Sequence, residues 1–265
     1  MSWEIETITN VIGVPNYTVA RLSPTSRKHL LLIPVFNEGT RIIEQLEKIE
    51  RFKPEVDVVI ADGGSTDESI EFFQKSTGIL TAVLTKQDEG NLSAQLRMGF
   101  HFAIENGYEG VITMDGNNKD GMMGITEIMN ALSKGFDFVQ GSRFMPGGSS
   151  KNTPLIRYLA VRLIHAPLTS FGAKHRFTDT TNGFRGHSIS LLTSPKMKVF
   201  REIFDTYELL AYIPIASGRL NFSITEVPVE RQYPEGKTIP TKIIGMSSYY
   251  SLLKILFKAI RGKYN

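Results

Sequence analysis

VDVVIADGGSTD, Val56–Asp67, is the stretch that decides the fold. A run that is apolar apart from Asp57 leads straight into Asp62-Gly63-Gly64-Ser65-Thr66-Asp67 and then an amphipathic stretch through about Lys75. Val56–Ala61 reads as a buried strand, the glycines as a sharp turn, and Ser65 or Thr66 as the cap of a helix whose N-terminus favours anions. The same grammar recurs on either side. His29–Phe36 (HLLLIPVF) turns at Asn37-Glu38-Gly39 into Ile42, Ile43, Leu46 and Ile49 at helical spacing, and Pro54 ends that helix. Thr81–Thr85 precedes a helix over Asn91–Glu105. Val111–Met114 ends at Asp115-Gly116, and a helix from about Met122 to Leu132 leads to the strand Asp137–Gln140. Apolar strands separated by helices build βαβ units with a mostly parallel sheet. Ligands bind beyond the carboxyl ends of such strands. The clusters Asn37-Glu38, Asp62 to Asp67, Asp115 to Asp120 and Gly141-Ser142-Arg143 all fall there.

The chain has 265 residues, 41% hydrophobic and 22% charged, which excludes disorder and fibrous repeats. No Cys is present, so disulfides, thiolate zinc sites and a Cys nucleophile are excluded. The N-terminus lacks the pattern of a secretory signal, and no run of apolar residues is long enough to span a bilayer. A cytoplasmic protein, soluble or peripheral on the inner membrane face, is expected. The net charge of +3 hides an asymmetry. Phe138–Thr178 carries six basic residues and no acid, and Pro240–Asn265 carries five and no acid. The remainder holds 19 basic against 27 acidic residues. Two basic segments suggest an anionic partner.

The second half is less regular. Thr153 to about Ser170 and Phe200 to about Ala216 read as helices, Ile224–Val229 as a strand, and Tyr233–Lys237 as a loop. Thr241–Ile260 closes the chain as an amphipathic helix. Its apolar face holds Tyr249, Leu252, Leu253, Leu256 and Ile260; Lys254, Lys258 and Arg261 lie elsewhere on it. Such a helix suits a membrane interface or a dock on the sheet, and both hold if the basic flank faces headgroups. No repeat or linker divides the chain.

Asp62, at its strand end, is placed to accept hydrogen bonds from the N–H edge of a nucleobase; the plainer reading of its segment is a capped strand–turn–helix connection. Neither a Walker A loop nor a G-x-G-x-x-G fingerprint is present. Asp115-Gly-Asn-Asn-Lys-Asp120 offers oxygen ligands that suit Mg²⁺ or Mn²⁺ bridging to phosphates, and equally suits an Asn/Gly/Asp-rich turn.

Together these motifs resemble family 2 glycosyltransferases. Ile33-Pro-Val-Phe-Asn-Glu38 is similar to their opening motif, and Ala61 to Asp67 to their nucleotide-binding turn. Gly90 to Gly99, with Ala94 and Arg97, resembles their third element. Thr113 to Asn117 stands where their Asp-x-Asp metal motif belongs, and Gly141 to Phe144 matches a Gly-Ser-Arg-aromatic element. Asp179 to Arg185, and Glu226 to Val229 followed by Arg231 and Lys237, resemble the branch related to dolichol-phosphate mannosyltransferase.

The resemblance implies an α/β fold of GT-A type, a Rossmann-like three-layer sandwich with a mostly parallel sheet. A single domain over 1–265 is expected, with a nucleotide-binding half (about 30–140), an acceptor half (about 141–240) and the closing helix (241–265). It implies transfer of a sugar from a nucleotide-diphosphate donor with inversion. The implied donor residues are Pro34, Asn37, Glu38, Asp62, Gly64, Ser65, Arg97, Asp115 and Gly116. Mg²⁺ or Mn²⁺ is implied at Asp115 and Asn117, and Arg143, Arg157, Asp179, Arg185 and Arg231 are implied on the acceptor side. Two positions depart from the pattern. Gly63 follows Asp62 where a second aspartate is common, and neutral Asn117 replaces the second metal-motif aspartate, so Asp120 is an alternative ligand.

A polyprenyl phosphate is already ionised and needs cations rather than a base to hold it, which the acid-free basic segment can provide. The plain alternative for those charges is a solvated face. Arg157 and Arg162, five apart, do not share one anion. A saccharide or glycolipid hydroxyl would need a base. Asp205 and Glu208, three apart on the expected helix, are the candidates for it, and a salt bridge or a helix-dipole contact is their plainer role. A lipid-phosphate acceptor is favoured. A non-catalytic nucleotide-sugar binder is kept open by Gly63 and Asn117. A nucleotidyltransferase lacks its Gly-rich basic loop, and no nucleic-acid partner is expected because aromatic platforms are missing from the basic segments. Nothing in the sequence sets an oligomeric state.

Overall fold

A computed structural model describes residues 5–75, 78–234 and 245–264. Its strands are β1 (Ile5–Ile8), β2 (Tyr17–Arg21), β3 (His29–Val35), β4 (Asp57–Asp62), β5 (Ala82–Lys86), β6 (Gly110–Thr113), β7 (Phe138–Ser142), β8 (Ser149–Lys151), β9 (Arg185–Ser188), β10 (Ile224–Pro228) and β11 (Glu230–Gln232). Its helices are α1 (Thr40–Phe52), α2 (Ser69–Lys75), α3 (Leu92–Glu105), α4 (Met123–Ser133), α5 (Leu155–Ala160), α6 (Ala166–Ala173), α7 (Ile189–Thr193), α8 (Glu208–Arg219) and α9 (Gly245–Ile260).

Among the described residues one large sheet has the order β1-β2-β5-β4-β3-β6-β9-β7-β10, and β8 pairs with β11 in a small second sheet. β5, β4, β3 and β6 are parallel neighbours, as are β7 and β10, while β2 and β9 run against the rest. The sheet is therefore mostly parallel. Alternation along the strands divides the core by face. Leu31, Ile33, Val58 and Ile60 meet Ile42, Leu46 and Ile49 of α1 and Ile125 and Ile128 of α4. Leu30, Leu32, Val59 and Ala61 meet Met98 and Phe102 of α3, in a cluster that continues through α8 to Leu256 and Ala259 of α9. Helix, sheet and helix make three layers, as expected. On the second face α3 presses close, since a Cβ on Gly99 would stand 2.3 Å from Leu32 Cδ2.

The expected elements of residues 30–140 all form, with ends shifted by one or two residues. The second half needs correction. The helix expected over Thr153–Ser170 is α5 and α6 joined by a π-helical turn, Val161–His165. The helix expected from Phe200 begins only at Glu208, so Asp205 precedes it and does not share a helical face with Glu208. β9 was not foreseen, because Arg-Gly-His-Ser has no apolar run to announce a strand. It enters the sheet by pairing antiparallel with β6 and β7. α9 packs on α6 and α8 rather than directly on the sheet. Lys237 and the expected helix start at Thr241 lie outside the described residues, as does the side chain of Tyr249.

Candidate active site

β3, β4, β6 and β7 all end on one edge, where a cleft of about 1120 Å³ opens. Because β9 runs the other way, it begins at that edge and brings the preceding loop, Asp179 to Phe184, into the same place.

On the donor side, hydrogen bonds weld the segment after β3 to the turn after β4. Asn37 donates its N–H to Ser65 Oγ at 2.9 Å, and its Oδ1 accepts from Thr66 N–H at 2.8 Å. Asp67 accepts from Gly39 N–H at 2.7 Å. Burial works to raise the Asp67 carboxyl, but its Ser69 and Gly39 hydrogen bonds hold it below the usual range. Asp62 is buried and accepts from the N–H groups of Gly64 and Ser65, both at 3.1 Å, so its carboxylate faces its own turn. The turn requires φ of +91° at Gly64, a conformation that glycine adopts without strain. Pro34, Glu38 and Gly63 line the cleft, and Glu38 accepts from Arg41 Nε at 2.9 Å. At Gly63 a Cβ would stand 3.0 Å from Gln95 Nε2. That amide donates to the carbonyls of Val35 at 2.7 Å and Ala61 at 2.8 Å, so it fills the space that a second aspartate would claim.

Across β3, Asp115 leaves the same edge as Asp62. The register pairs Val35 with Asp62 and Leu32 with Thr113, so β3 alone separates the two strands, a lateral spacing of about 10 Å. Asp115 Oδ2 accepts from Arg231 Nη2 at 2.9 Å and from Asn117 Nδ2 at 3.4 Å. Arg231 Nη1 reaches both oxygens of buried Asp120, at 2.8 and 2.7 Å, and Asn182 Oδ1 at 3.2 Å. Burial works to raise Asp115, but Arg231, by charge and hydrogen bond, holds it below the usual carboxylate range, with Lys119 adding to this. Burial pushes Asp120 up against the pull of Arg231. Gly183 passes directly over Asp115: a Cβ there would lie 2.5 Å from Oδ1. Gly116 lines the cleft beside it.

On the acceptor side the arginines are tied down. Arg143 grips Asp179 through Nε at 2.6 Å and Nη2 at 2.9 Å, and also reaches Thr181 Oγ1 and the Tyr233 hydroxyl. Two parallel bonds of this kind fix geometry as well as charge. Burial works to raise Asp179, and Arg143 holds it well below its ordinary value. Asp179 therefore positions Arg143. Arg185 spends its guanidinium on the carbonyls of Asn182, Leu210 and Thr180, and burial pulls it down to about 10. Arg157 lines the cleft over the Tyr233 ring, while Arg162 is exposed beside Phe144, so the two do point apart.

Asn37, Asp62, Gly64, Ser65 and Asp179 stand outside the cleft lining, within the turns and the ion pair described above, and so do Arg97, Asp205 and Glu208. Arg97 is buried beneath α3 and donates to the carbonyls of Phe204 and Gly13. Asp205 accepts from both nitrogens of Asn91, and its carbonyl takes Ser93 N–H, so it closes the start of α3. Glu208 accepts from Thr206 N–H and Oγ1 at the start of α8. Gln95, Lys119 and His165 line the cleft and were not singled out. Lys119 stood in plain view, a cation amid the oxygen donors of its cluster. His165, held to Thr180 Oγ1 at 2.7 Å, ends the π-helical turn and gives no local signal.

The donor set for a divalent ion is small. Asn117 Oδ1 is buried without a hydrogen-bond partner, so it and Asp115 can present oxygen to a hard cation, the remaining positions falling to phosphate and water. Asp120, committed to Arg231, does not join them. Among the described residues no group of three carboxylate or histidine side chains converges for a metal.

Comparison with known proteins agrees with this architecture. The glycosyl transferase family 2 model matches residues 31–206. Polyprenol monophosphomannose synthase of Mycolicibacterium smegmatis is 24% identical over 249 residues, covering 92% of this chain and 91% of that protein. Undecaprenyl-phosphate mannosyltransferase of Micrococcus luteus is 26% identical, covering 78% of this chain and 86% of its own. Among solved structures, glucosyl-3-phosphoglycerate synthase of Mycobacterium tuberculosis with Mg²⁺ and UDP superposes with a TM-score of 0.62 at 18% identity, over 88% of this chain and 80% of that one. Its complex with Mn²⁺, UDP and glucosyl-3-phosphoglycerate gives 0.59 at 16%, over 89% and 78%. The fold is GT-A. With the strand-end cleft in place and well over half its length matched, the chain belongs to glycosyl transferase family 2, among relatives of polyprenyl-phosphate mannosyltransferases.

Proposed function

We propose that the protein is an inverting glycosyltransferase that moves a sugar from a nucleotide-diphosphate donor to a polyprenyl-phosphate-type acceptor at the cytoplasmic membrane surface. The observation that carries this reading is the composition of the cleft. Its inner end joins Glu38, Asp115 and Lys119 to Arg157 and Arg231, while its outer wall is apolar, with Ile156, Val161 and Ile164 on one side and Leu252, Leu253 and Ile255 on the other. Ile156 of that wall is itself 80% exposed, Leu155, Leu163 and Phe171 are 69%, 69% and 79% exposed, and Arg162, Lys254 and Lys258 are exposed as well. An apolar face of this size with basic neighbours suits a bilayer surface, which would also deliver a long isoprenoid tail to the outer wall. No helix among the described residues is long and apolar enough to cross a membrane.

In this reading the segments at Asn37 and Ser65 form the floor for the nucleoside, and Glu38 and Asp115 face the donor. Asp115 and Asn117 would hold Mg²⁺ or Mn²⁺, which would offset charge on the departing diphosphate. Arg143, set by Asp179, and Arg157 orient the acceptor phosphate. Its oxygen is already ionised, so the in-line attack asks for alignment rather than a base. A hydroxyl acceptor draws no comparable support, since Asp205 and Glu208 cap helices away from the cleft lining.

The test is a donor screen by thermal shift with UDP-, GDP-, CDP- and dTDP-sugars, with and without Mn²⁺, followed by transfer assays on polyprenyl phosphate and on free saccharides. One nucleotide class should stabilise the protein, and product should form on the lipid phosphate. Product on saccharides alone would overturn the acceptor assignment.

A further inference from the structure

We propose that Gln95 reads the nucleobase of the donor, and that it selects a pyrimidine with a ring N–H between two carbonyls, uracil or thymine. The inference rests on the transferase reading of the cleft and names the base that this reading leaves open.

Gln95 reaches from α3 to the ends of β3 and β4, where its Nε2 donates to the Val35 carbonyl at 2.7 Å and the Ala61 carbonyl at 2.8 Å. Two carbonyl partners settle which amide atom is the nitrogen. Both amide hydrogens are spent there, so the side chain has only an acceptor left to offer. Among the described residues Oε1 takes no hydrogen bond and is not one of the buried orphan atoms, so it opens on the cleft that Gln95 lines. The rest of the side chain is buried, which holds that acceptor in place.

The neighbours leave this task to Gln95. Asp62, the acceptor that the sequence suggested for a base, is turned into its own loop by the Gly64 and Ser65 N–H groups and does not line the cleft. Gly63 has no side chain, and the Gln95 amide occupies the space that one would enter. Lys86 ends β5 on the face that α3 covers, by alternation from Ala82 and Leu84. It is buried, lines the same cleft and donates to the Asp88 carbonyl. An ammonium carries three donors, so Lys86 can also serve a carbonyl of the base.

A single neutral acceptor beside a cation sorts the bases. Uracil and thymine give their ring N–H to Oε1 and a carbonyl to Lys86. Guanine presents a ring N–H and an amino group side by side and asks for a second acceptor, which neither Gly63 nor Asp62 supplies. Cytosine sets the lone pair of a bare ring nitrogen against Oε1. A donor left unpaired in a closed site, or two lone pairs face to face, costs affinity.

Titration calorimetry of the full chain with UDP, dTDP, GDP and CDP, each with Mn²⁺ and in EDTA, tests the assignment. UDP or dTDP should bind at least about tenfold more tightly than GDP and CDP. Gln95→Met keeps the bulk and removes the acceptor; it should weaken the preferred nucleotide about tenfold and leave GDP within about twofold, so that the preference collapses. A purely structural role for Gln95 would weaken all four alike. The double variant Gly63→Asp/Gln95→Ala puts two acceptor oxygens into the vacated space. The backbone at Gly63 is not left-handed, so an aspartate is accommodated there, and the preference should turn to GDP. Circular dichroism melts confirm that each variant is folded. GDP or CDP binding tightest to the native chain, or an unchanged ratio of affinities in folded Gln95→Met, would overturn the inference and leave the transferase reading standing. No binding of any nucleoside diphosphate, with or without Mn²⁺, would take down both. Should Gln95→Met not fold, the ranking on the native chain and the double variant still decide the matter.

Discussion

The two sides of the cleft hold their polar side chains in different ways. On the donor side, Asn37, Asp62 and Asp67 are held by backbone N–H groups and a hydroxyl within two neighbouring turns. On the acceptor side, charges hold charges across long sequence distances: Arg143 with Asp179, and Arg231 with Asp120 and, reaching into the donor set, with Asp115. A turn that satisfies itself loses one modest hydrogen bond at a time. A buried ion pair that loses a partner leaves a charge with nowhere to go. The donor side should therefore tolerate substitution locally, while the acceptor side should fail as a unit.

The sharpest way to break that contrast is Asp179→Ala. It strands the Arg143 guanidinium, itself 4% exposed, and should cost about 3–5 kcal/mol of stability, read by urea unfolding. A cost under 1 kcal/mol would show that the clamp is not what fixes this side. Next comes Asp115→Ala, in which Arg231 keeps Asp120 and the fold survives. Transfer should fall about 10²–10³-fold, the range for removing one preorganised group, while the chain still melts cooperatively; full activity would remove Asp115 from the site.

Acid should also discriminate. Burial lowers the imidazoles of His165 and His187 to about 4 and about 3, both on the acceptor side of the sheet. In the unfolded chain they titrate near 6.5, so between that value and their folded values the unfolded state binds more protons. Stability is full above about pH 6.5 and falls as pH drops toward 4, by about 1.4 kcal/mol per pH unit for each imidazole. His187→Phe, which packs an apolar ring between Phe100 and Phe138, should flatten that slope in denaturation measured across this range. Smallest is Asp62→Ala, which frees the Gly64 and Ser65 amides and should cost about 1–2 kcal/mol in the same urea assay. A loss as large as that of Asp179→Ala would erase the difference between the two sides.

How much was legible follows the same divide. His29–Phe36, Val56–Ala61 and Val111–Met114 announce buried parallel strands because burial on both faces demands unbroken apolar runs, and the polar clusters after them mark the edge where ligands bind. β9 announces nothing: its Arg185 and His187 are polar and are buried only because β6 and β7 close over them. Arg97 matched a motif by position, yet its guanidinium turns under α3 to carbonyls at Gly13 and Phe204. Asp205 and Glu208 looked paired at helical spacing until the helix proved to start at Glu208 itself. Lys119 was visible as a letter in its cluster, but nothing local said it would be buried there.

The sequence by itself determined the layered fold, the family and the edge of the sheet on which the cleft opens, since periodicity and turn chemistry act over a few residues and are written in order. The tertiary structure alone decided which carboxylate holds which arginine, that Gln95 fills the space beside Gly63, and that Lys119 and Arg231 converge on Asp115. Those outcomes depend on desolvation and on groups brought together across tens to more than a hundred residues, and a linear pattern carries no record of distances that exist only after the chain has closed on itself.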